Sequence, residues 1–176
     1  EFILEAIEKS GFKVGKDVCI CLDVAANELF KDKKYSISSS KFISSEETSE
    51  YYLNLIKKYP IKSIEDPFQE DDWESWINLT KIINENIQIV GDDLFVTNKE
   101  RLLKGIQSKA ANTILIKPNQ IGTLTETLEV INLAHENGYK TIISHRSGDS
   151  EDAFIADLAV ATNSSQIKTG SLARSE

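Results

Sequence analysis

Charged side chains stand directly after short apolar runs along this sequence. The residues in this position are Asp23, Glu65, Asp92, Lys117, His145 and Lys168. A charged group at the end of a buried strand is costly unless it has a partner. Because the same placement recurs run after run, it indicates a site assembled where the strands end.

Three of these residues are acidic and follow three consecutive runs. We expect the carboxylates of Asp23, Glu65 and Asp92 to converge. Two bare carboxylates about 4 Å apart repel by roughly 4 kcal/mol at an effective dielectric constant of 20, so three of them call for a cation. Hard oxygen ligands with no neighbouring thiol favour Mg²⁺. The alternative is that each carboxylate pairs with a lysine or caps the following helix.

Two lysines occupy strand ends of the same kind. Lys117 directly follows the run 113–116, and Lys168 follows a shorter run. A partly desolvated amine near other cations loses its proton more readily and can serve as a general base. We therefore interpret Lys117 as a base and Lys168 as the second positive charge. The alternative, in which both lysines simply pair with the three acids, stays open at this point.

A possible anion site follows the fifth run. Arg146, Ser147 and Gly148 supply a guanidinium, a hydroxyl and backbone amides before a predicted helix, and His145 stands beside them. Such groups suit a phosphate or a carboxylate. Together with the acids and lysines, they predict removal of a proton next to a carboxylate, with the enediolate held by a metal. His135, inside a predicted helix, is interpreted as a solvated surface histidine.

The elements that must position these residues alternate along the chain. Six apolar runs rich in Ile and Val are typical of parallel strands buried on both faces. The apolar spacing between the runs predicts helices over 2–9, 45–59, 71–84, 97–106, 123–137 and 152–162. The polar stretch 30–42 is expected to form a loop or a small hairpin.

Strand and helix alternate with no hairpin between the main runs, which argues for repeated βαβ units. The regular spacing of the strand ends favours a (β/α) barrel over a doubly wound sheet. A closed barrel needs eight strands and typically about 250 residues. With six strands in 176 residues, the sequence predicts an α/β fold that is part of a (β/α)8 TIM-type barrel.

The composition argues against several classes of protein. The chain carries 20 basic and 28 acidic residues, a net charge of −8, which argues against a nucleic-acid partner. No apolar run approaches the ~20 residues of a membrane span, and the first residues do not resemble a signal peptide. Cys19 and Cys21 are interpreted as buried thiols in a reducing cytosol. The absence of methionine leads us to expect a processed, excised or incomplete chain.

Several strings of this sequence resemble the enolase (phosphopyruvate hydratase) family, in the family's order and near its spacing. The strings are Ser63-Ile64-Glu65-Asp66-Pro67-Phe68, Val90-Gly91-Asp92-Asp93-Leu94, Leu115-Ile116-Lys117-Pro118-Asn119-Gln120-Ile121-Gly122, Ser144-His145-Arg146-Ser147-Gly148 and Gln166-Ile167-Lys168-Thr169-Gly170. The resemblance implies that residues 1–176 are an incomplete C-terminal barrel domain that lacks the family's N-terminal capping domain.

The resemblance also implies a role for each residue at the strand ends. Asp23, Glu65 and Asp92 match the family's ligands of the first Mg²⁺, and the latter two also border the substrate. Lys117 matches the base that takes the C2 proton of 2-phosphoglycerate, and Lys168 the lysine that holds the substrate carboxylate and enolate. Arg146 and Ser147 match the phosphate contacts, and His145 matches a histidine of the substrate pocket.

The resemblance implies dehydration of 2-phosphoglycerate to phosphoenolpyruvate in glycolysis, by a cytoplasmic homo-oligomer with a possible cell-surface or secreted pool. The family's Gly-Asp-Glu-Gly-Gly string, whose glutamate protonates the leaving hydroxyl, does not occur in these 176 residues. We therefore expect the chain alone to be inactive. The alternative is a truncated, non-catalytic fragment that binds metal or ligand, or serves as a surface-binding module.

Overall fold

The structure, a computed structural model, describes residues 1–38, 40–83, 86–146, 148 and 150–170. It divides into two compact units, Glu1–Ile89 and Val90–Glu176. The helices of the described residues are α1 (Phe2–Lys9), α2 (Ser45–Lys58), α3 (Trp73–Ile82), α4 (Lys99–Ser108), α5 (Pro118–Ile121), α6 (Leu124–Glu136) and α7 (Phe154–Ala161). The strands are β1 (Ile20–Asp23), β2 (Phe30–Lys31), β3 (Lys34–Ser38), β4 (Lys41–Ile43), β5 (Ile61–Glu65), β6 (Gln88–Gly91), β7 (Thr113–Ile116), β8 (Lys140–Ser144) and β9 (Gln166–Lys168).

The first unit pairs two parallel strands and adds a small antiparallel sheet. β1 pairs in parallel with β5, and Asp23 at the end of β1 is in register with Glu65 at the end of β5. A 3₁₀ turn over Ala26–Leu29 leads into the three-stranded sheet β2-β3-β4. This sheet confirms the expected hairpin within 30–42 and extends it by one strand.

In the second unit, β6, β7, β8 and β9 lie side by side in that order, and all three pairs are parallel. β6 itself begins in the first unit and crosses into the second. Every residue of β6 and β7 is buried, and Val90, Leu115 and Ile142 pack together in the core. Strands covered on both faces are what their unbroken apolar runs predict.

Local sequence signals set the helix starts. Ser44 forms a capping box with Glu47 at the start of α2, and the Asn98 side chain accepts from two backbone amides at the start of α4. The Thr123 hydroxyl accepts a backbone amide in the same way at the start of α6. Such caps satisfy amides that have no partner inside the helix and are each worth about 1 kcal/mol.

The predicted elements are largely present, with small shifts. All six predicted core strands exist, and the observed helices begin and end within two residues of the predicted ends where the structure describes them. Residue 84, the expected end of the third helix, lies outside the described residues. The one-turn helix α5 and the 3₁₀ turn were not predicted.

The prediction of burial on both faces is wrong for β1. Its residues alternate between half-buried and exposed, because successive side chains of a strand point to opposite faces and only one face of β1 is partly covered. Cys21 is therefore exposed and Cys19 half-buried, and both are free thiols. The interpretation of both as buried thiols is therefore wrong: Cys21 is exposed, and Cys19 is buried only in part.

No helix among the described residues is both long enough and apolar enough to cross a membrane.

Candidate active site

In the first unit, two of the predicted metal ligands lie side by side. Asp23 and Glu65 end adjacent parallel strands and are register partners. Glu65 is buried, whereas Asp23 is exposed and accepts the backbone N–H of Ala25 at 3.2 Å. The backbone N–H of Val24 donates to the Glu65 carbonyl at 3.0 Å, which extends the strand pairing past Asp23. This part of the predicted carboxylate cluster is therefore assembled within one unit.

The loop that follows Glu65 is fixed by side chains from distant parts of the sequence. The Tyr35 hydroxyl of β3 donates to Asp72 at 2.8 Å and accepts the backbone N–H of Gln69 at 3.0 Å. Asn27 exchanges two hydrogen bonds with Glu70, at 2.9 and 3.0 Å. Burial raises the pKa of Tyr35 well above its usual range, so this phenol remains a neutral donor to Asp72.

In the second unit, Lys117 and Asp92 form an ion pair. Asp92 follows β6 and Lys117 follows β7, so two neighbouring parallel strands deliver the two charges to one edge of the sheet. The Lys117 ammonium donates to Asp92 Oδ2, and only 15% and 11% of the two side chains are exposed. Because the pair is mostly shielded from water, its attraction is screened less than that of a surface pair.

Asp92 has a further donor that sequence reasoning did not single out. Gln120 Nε2 donates to Asp92 Oδ1 at 3.2 Å, and Gln120 Oε1 accepts the Thr97 hydroxyl at 2.7 Å. The signal that could have found Gln120 is Pro118. A proline is favoured in the first turn of a helix, and one turn of helix brings residue 120 back toward Lys117.

The backbone at Thr97 is strained. Val96 and Thr97 have φ values of +43° and +54°, in the left-handed region that β-branched residues rarely adopt. Each such residue costs of the order of 1–3 kcal/mol and persists only where its surroundings hold it. Thr97 is completely buried, so its surroundings impose this conformation on the segment that follows Asp92.

The remaining predicted residues follow β8 and β9. The backbone N–H of His145 donates to the Lys168 carbonyl at 3.1 Å, which places the ends of the two strands side by side. Arg146 is exposed and donates to Asn119 Oδ1 at 3.3 Å. Ser147, the predicted phosphate contact, lies outside the described residues.

The donor set suits a hard divalent cation. Asp23 and Glu65 stand together at their strand ends, and a carboxylate oxygen of Asp93 lies within 4.8 Å of one from Asp92. All of these donors are carboxylate oxygens, the ligands that Mg²⁺ binds in proteins. The cluster of Asp23, Glu65 and Asp92 draws on both units of the chain, and it stays a prediction.

The chain is an α/β domain, because parallel strands alternate with helices along it. Its polar groups follow the strands, which is where (β/α) barrel enzymes have their active sites. The whole chain, residues 1–176, matches the family model described as "Enolase, C-terminal TIM barrel domain". The chain therefore belongs to the enolase family and has the fold class of that barrel domain, as predicted.

Two curated relatives support the same assignment. The chain is 67% identical over 176 residues to the protein named Enolase of Pelagibacter ubique. It is 56% identical over 177 residues to the Enolase of a Nitratiruptor species. Each alignment covers 100% of this chain and 42% of the relative, so the chain spans less than half the length of these relatives.

Proposed function

We propose that this chain supplies the base, metal carboxylates and anion-binding groups of an enolase, a lyase that removes water from 2-phosphoglycerate to give phosphoenolpyruvate. The observation that carries the proposal is the shielded pair of Lys117 and Asp92 at the ends of two neighbouring strands. The names of the relatives and the match to the family support the same reaction.

In this proposal Lys117 Nζ takes the proton from C2 of the substrate. The electron pair of the C2–H bond passes into the adjacent carboxylate as an enediolate. It then forms the C2–C3 double bond as the C3 hydroxyl leaves with a proton from an acid. The resemblance assigns that acid to a glutamate outside these 176 residues. A positioned acid or base contributes about 10²–10⁴ in rate.

The proposed metal ligands are Asp23, Glu65 and Asp92. Magnesium bound there would delocalise the negative charge that develops on the substrate carboxylate as the proton leaves. Lys168, at the end of β9, would hold the same carboxylate through its positive charge. Arg146 would hold the phosphate, since a guanidinium binds phosphate with two parallel hydrogen bonds.

Family membership also supports a cytoplasmic homo-oligomer as the form in which the complete protein works. This part of the proposal rests on the likeness to the relatives rather than on contacts within the chain.

The proposal is tested in the complete protein encoded around this chain. The unchanged protein is expected to form phosphoenolpyruvate from 2-phosphoglycerate, with a requirement for Mg²⁺. In D₂O, Lys117→Ala should abolish exchange of the C2 proton with solvent, whereas the matched control Lys140→Ala, an exposed lysine at the start of β8, should exchange normally. Asp92→Asn should weaken Mg²⁺ binding measured by calorimetry.

Two results would count against the proposal. Normal exchange in Lys117→Ala would place the base elsewhere. Binding of Mg²⁺ and substrate by the unchanged protein without any turnover would favour the non-catalytic alternative.

A further inference from the structure

The strained segment after Asp92 holds a threonine hydroxyl in an unusual position. Val96 and Thr97 both have positive φ, a conformation in which a glycine would be much less strained than a β-branched residue. Thr97 is fully buried, and its hydroxyl is directed at the junction between β7 and α5. Strained backbone of this kind is concentrated at functional sites, which points to a role for the Thr97 hydroxyl.

The hydroxyl connects two parts of that junction. It accepts the backbone N–H of Lys117 at 2.9 Å, and it lies 2.7 Å from Gln120 Oε1. The Asp92 carboxylate can only accept, so Gln120 turns its NH₂ group to Asp92 and its oxygen to Thr97. Because that oxygen can also only accept, the single proton of the Thr97 hydroxyl goes to it. The direction of both hydrogen bonds is thereby fixed.

The Gln120 amide therefore links Thr97 to Asp92. With its oxygen on Thr97, the amide presents its NH₂ group to Asp92 Oδ1 at 3.2 Å, while Lys117 holds Oδ2. The two oxygens of one carboxylate are thus held by two residues of a single short segment, 117–120. Thr97 ties that segment to the loop that follows Asp92.

We propose that Thr97 and Gln120 are positioning residues of the reaction. Thr97 orients the Gln120 amide and holds the backbone of Lys117, so that the Asp92 carboxylate and the Lys117 amine keep a fixed mutual orientation. Neither residue is assigned a contact with the substrate. The inference rests on the proposed function, because it takes Lys117 as the base and Asp92 as a metal ligand.

The test uses the complete protein and four variants. Thr97→Val keeps the shape of the side chain and removes the hydroxyl, and Thr97→Ser restores the hydroxyl. Gln120→Leu removes the amide at a half-buried position. Thr127→Val is the matched control, because Thr127 is also fully buried and its hydroxyl donates to the Thr123 carbonyl within α6.

We expect Thr97→Val and Gln120→Leu to lower kcat and the rate of C2 proton exchange by about 10- to 100-fold, the scale of a misplaced reacting group. The KM for 2-phosphoglycerate should change little. Thr97→Ser should stay within about threefold of the unchanged protein, as should Thr127→Val. Full activity of Thr97→Val and Gln120→Leu, or equal losses in Thr97→Ser and Thr127→Val, would overturn the proposal.

A second measurement separates this inference from the proposed function. In ¹H–¹⁵N spectra of the protein, the side-chain NH₂ of Gln120 is expected to shift and exchange faster in Thr97→Val but not in Thr97→Ser or Thr127→Val. If the unchanged protein forms no phosphoenolpyruvate, the proposed function fails, and this spectrum still decides whether Thr97 orients the amide. Unchanged Gln120 signals in Thr97→Val would refute the orientation directly.

Discussion

Gly105, inside α4, lies against the ring of Phe95, and a Cβ at this glycine would stand 2.7 Å from Phe95 Cζ. The same ring lies against Gly91 at the end of β6, where a Cβ would stand 2.5 Å from Phe95 Cδ2. Phe95 is completely buried. One aromatic ring therefore fills the space that two glycines leave open, next to the strand end from which Asp92 projects.

This packing predicts that Gly105→Ala destabilises the protein. In an ordinary helix interior the same change stabilises by about 1 kcal/mol. Here the added methyl group would overlap a ring that is enclosed on all sides, and overpacking of this kind costs about 1–3 kcal/mol. Urea unfolding of the variant is expected to show a lower midpoint with an unchanged slope.

Two controls separate overlap from a general effect on the helix. Lys104→Ala changes an exposed position of the same helix and should be neutral or slightly stabilising. In a Phe95→Leu background, which leaves room for the methyl group, Gly105→Ala should lose most of its cost. A stabilising effect of Gly105→Ala alone would contradict the packing argument.

Tyr139 predicts a specific alkaline response. Burial raises the pKa of Tyr139 to about 12, and the backbone of Ala111 opposes that shift only in part. Below about pH 10, the ordinary pKa of tyrosine, both folded and unfolded chains keep the proton, so the contribution of the neutral phenol is fully present. Between about pH 10 and 12 only the unfolded chain loses its proton, and stability falls with pH.

Tyr139→Phe is therefore expected to lose stability less steeply above pH 10 than the unchanged chain. The difference in slope should approach one proton, or about 1.4 kcal/mol per pH unit, when free energies of unfolding are measured in urea at several pH values. Tyr51→Phe, a change at an exposed ring, is the control and should leave the slope unchanged. Equal slopes for Tyr139→Phe and the unchanged chain would refute the argument.

The strand ends could be predicted from the sequence because two independent signals coincide there. An unbroken apolar run indicates a strand that is buried on both faces, and the first charged residue after the run indicates where the buried strand ends. For β6 and β7 this reasoning placed Asp92 and Lys117 correctly at neighbouring strand ends. The ion pair between these two side chains corresponds to the alternative that the sequence left open, in which the lysines pair with the acids.

Contacts between distant residues could not be predicted in this way. Tyr35 belongs to a polar, Ser-rich stretch, yet its hydroxyl holds the loop after Glu65 through Asp72 and Gln69. The left-handed backbone at Thr97 has no local signal, because neither Val nor Thr favours positive φ. The apolar pattern of β1 is the same as that of β6, but the prediction that β1 is buried on both faces was wrong. The burial of a strand depends on what covers it and not on its own residues alone.

The structure adds a contact to His135 that the sequence did not predict. It is exposed, as expected for a surface histidine, but its Nε2 lies 2.9 Å from the hydroxyl of the fully buried Thr141. Thr141 donates to Ser164 at 3.0 Å, and the Ser164 and Thr162 hydroxyls lie 2.8 Å apart. The Thr162 hydroxyl donates to the carbonyl of Leu158 at 2.7 Å.

The direction of this chain of hydroxyls fixes the proton on His135. The Leu158 carbonyl only accepts, so Thr162 spends its proton there, Ser164 donates to Thr162, and Thr141 donates to Ser164. Thr141 has no proton left for His135, and Nε2 must therefore be the donor.

We expect long-range ¹H–¹⁵N spectra to show neutral His135 protonated at Nε2, with that proton exchanging slowly. In Thr141→Val the slow exchange should vanish and stability should fall by about 1 kcal/mol, whereas Thr127→Val should keep the signal. A proton on Nδ1, or an unchanged Nε2–H signal in Thr141→Val, would show that the chain does not run in this direction.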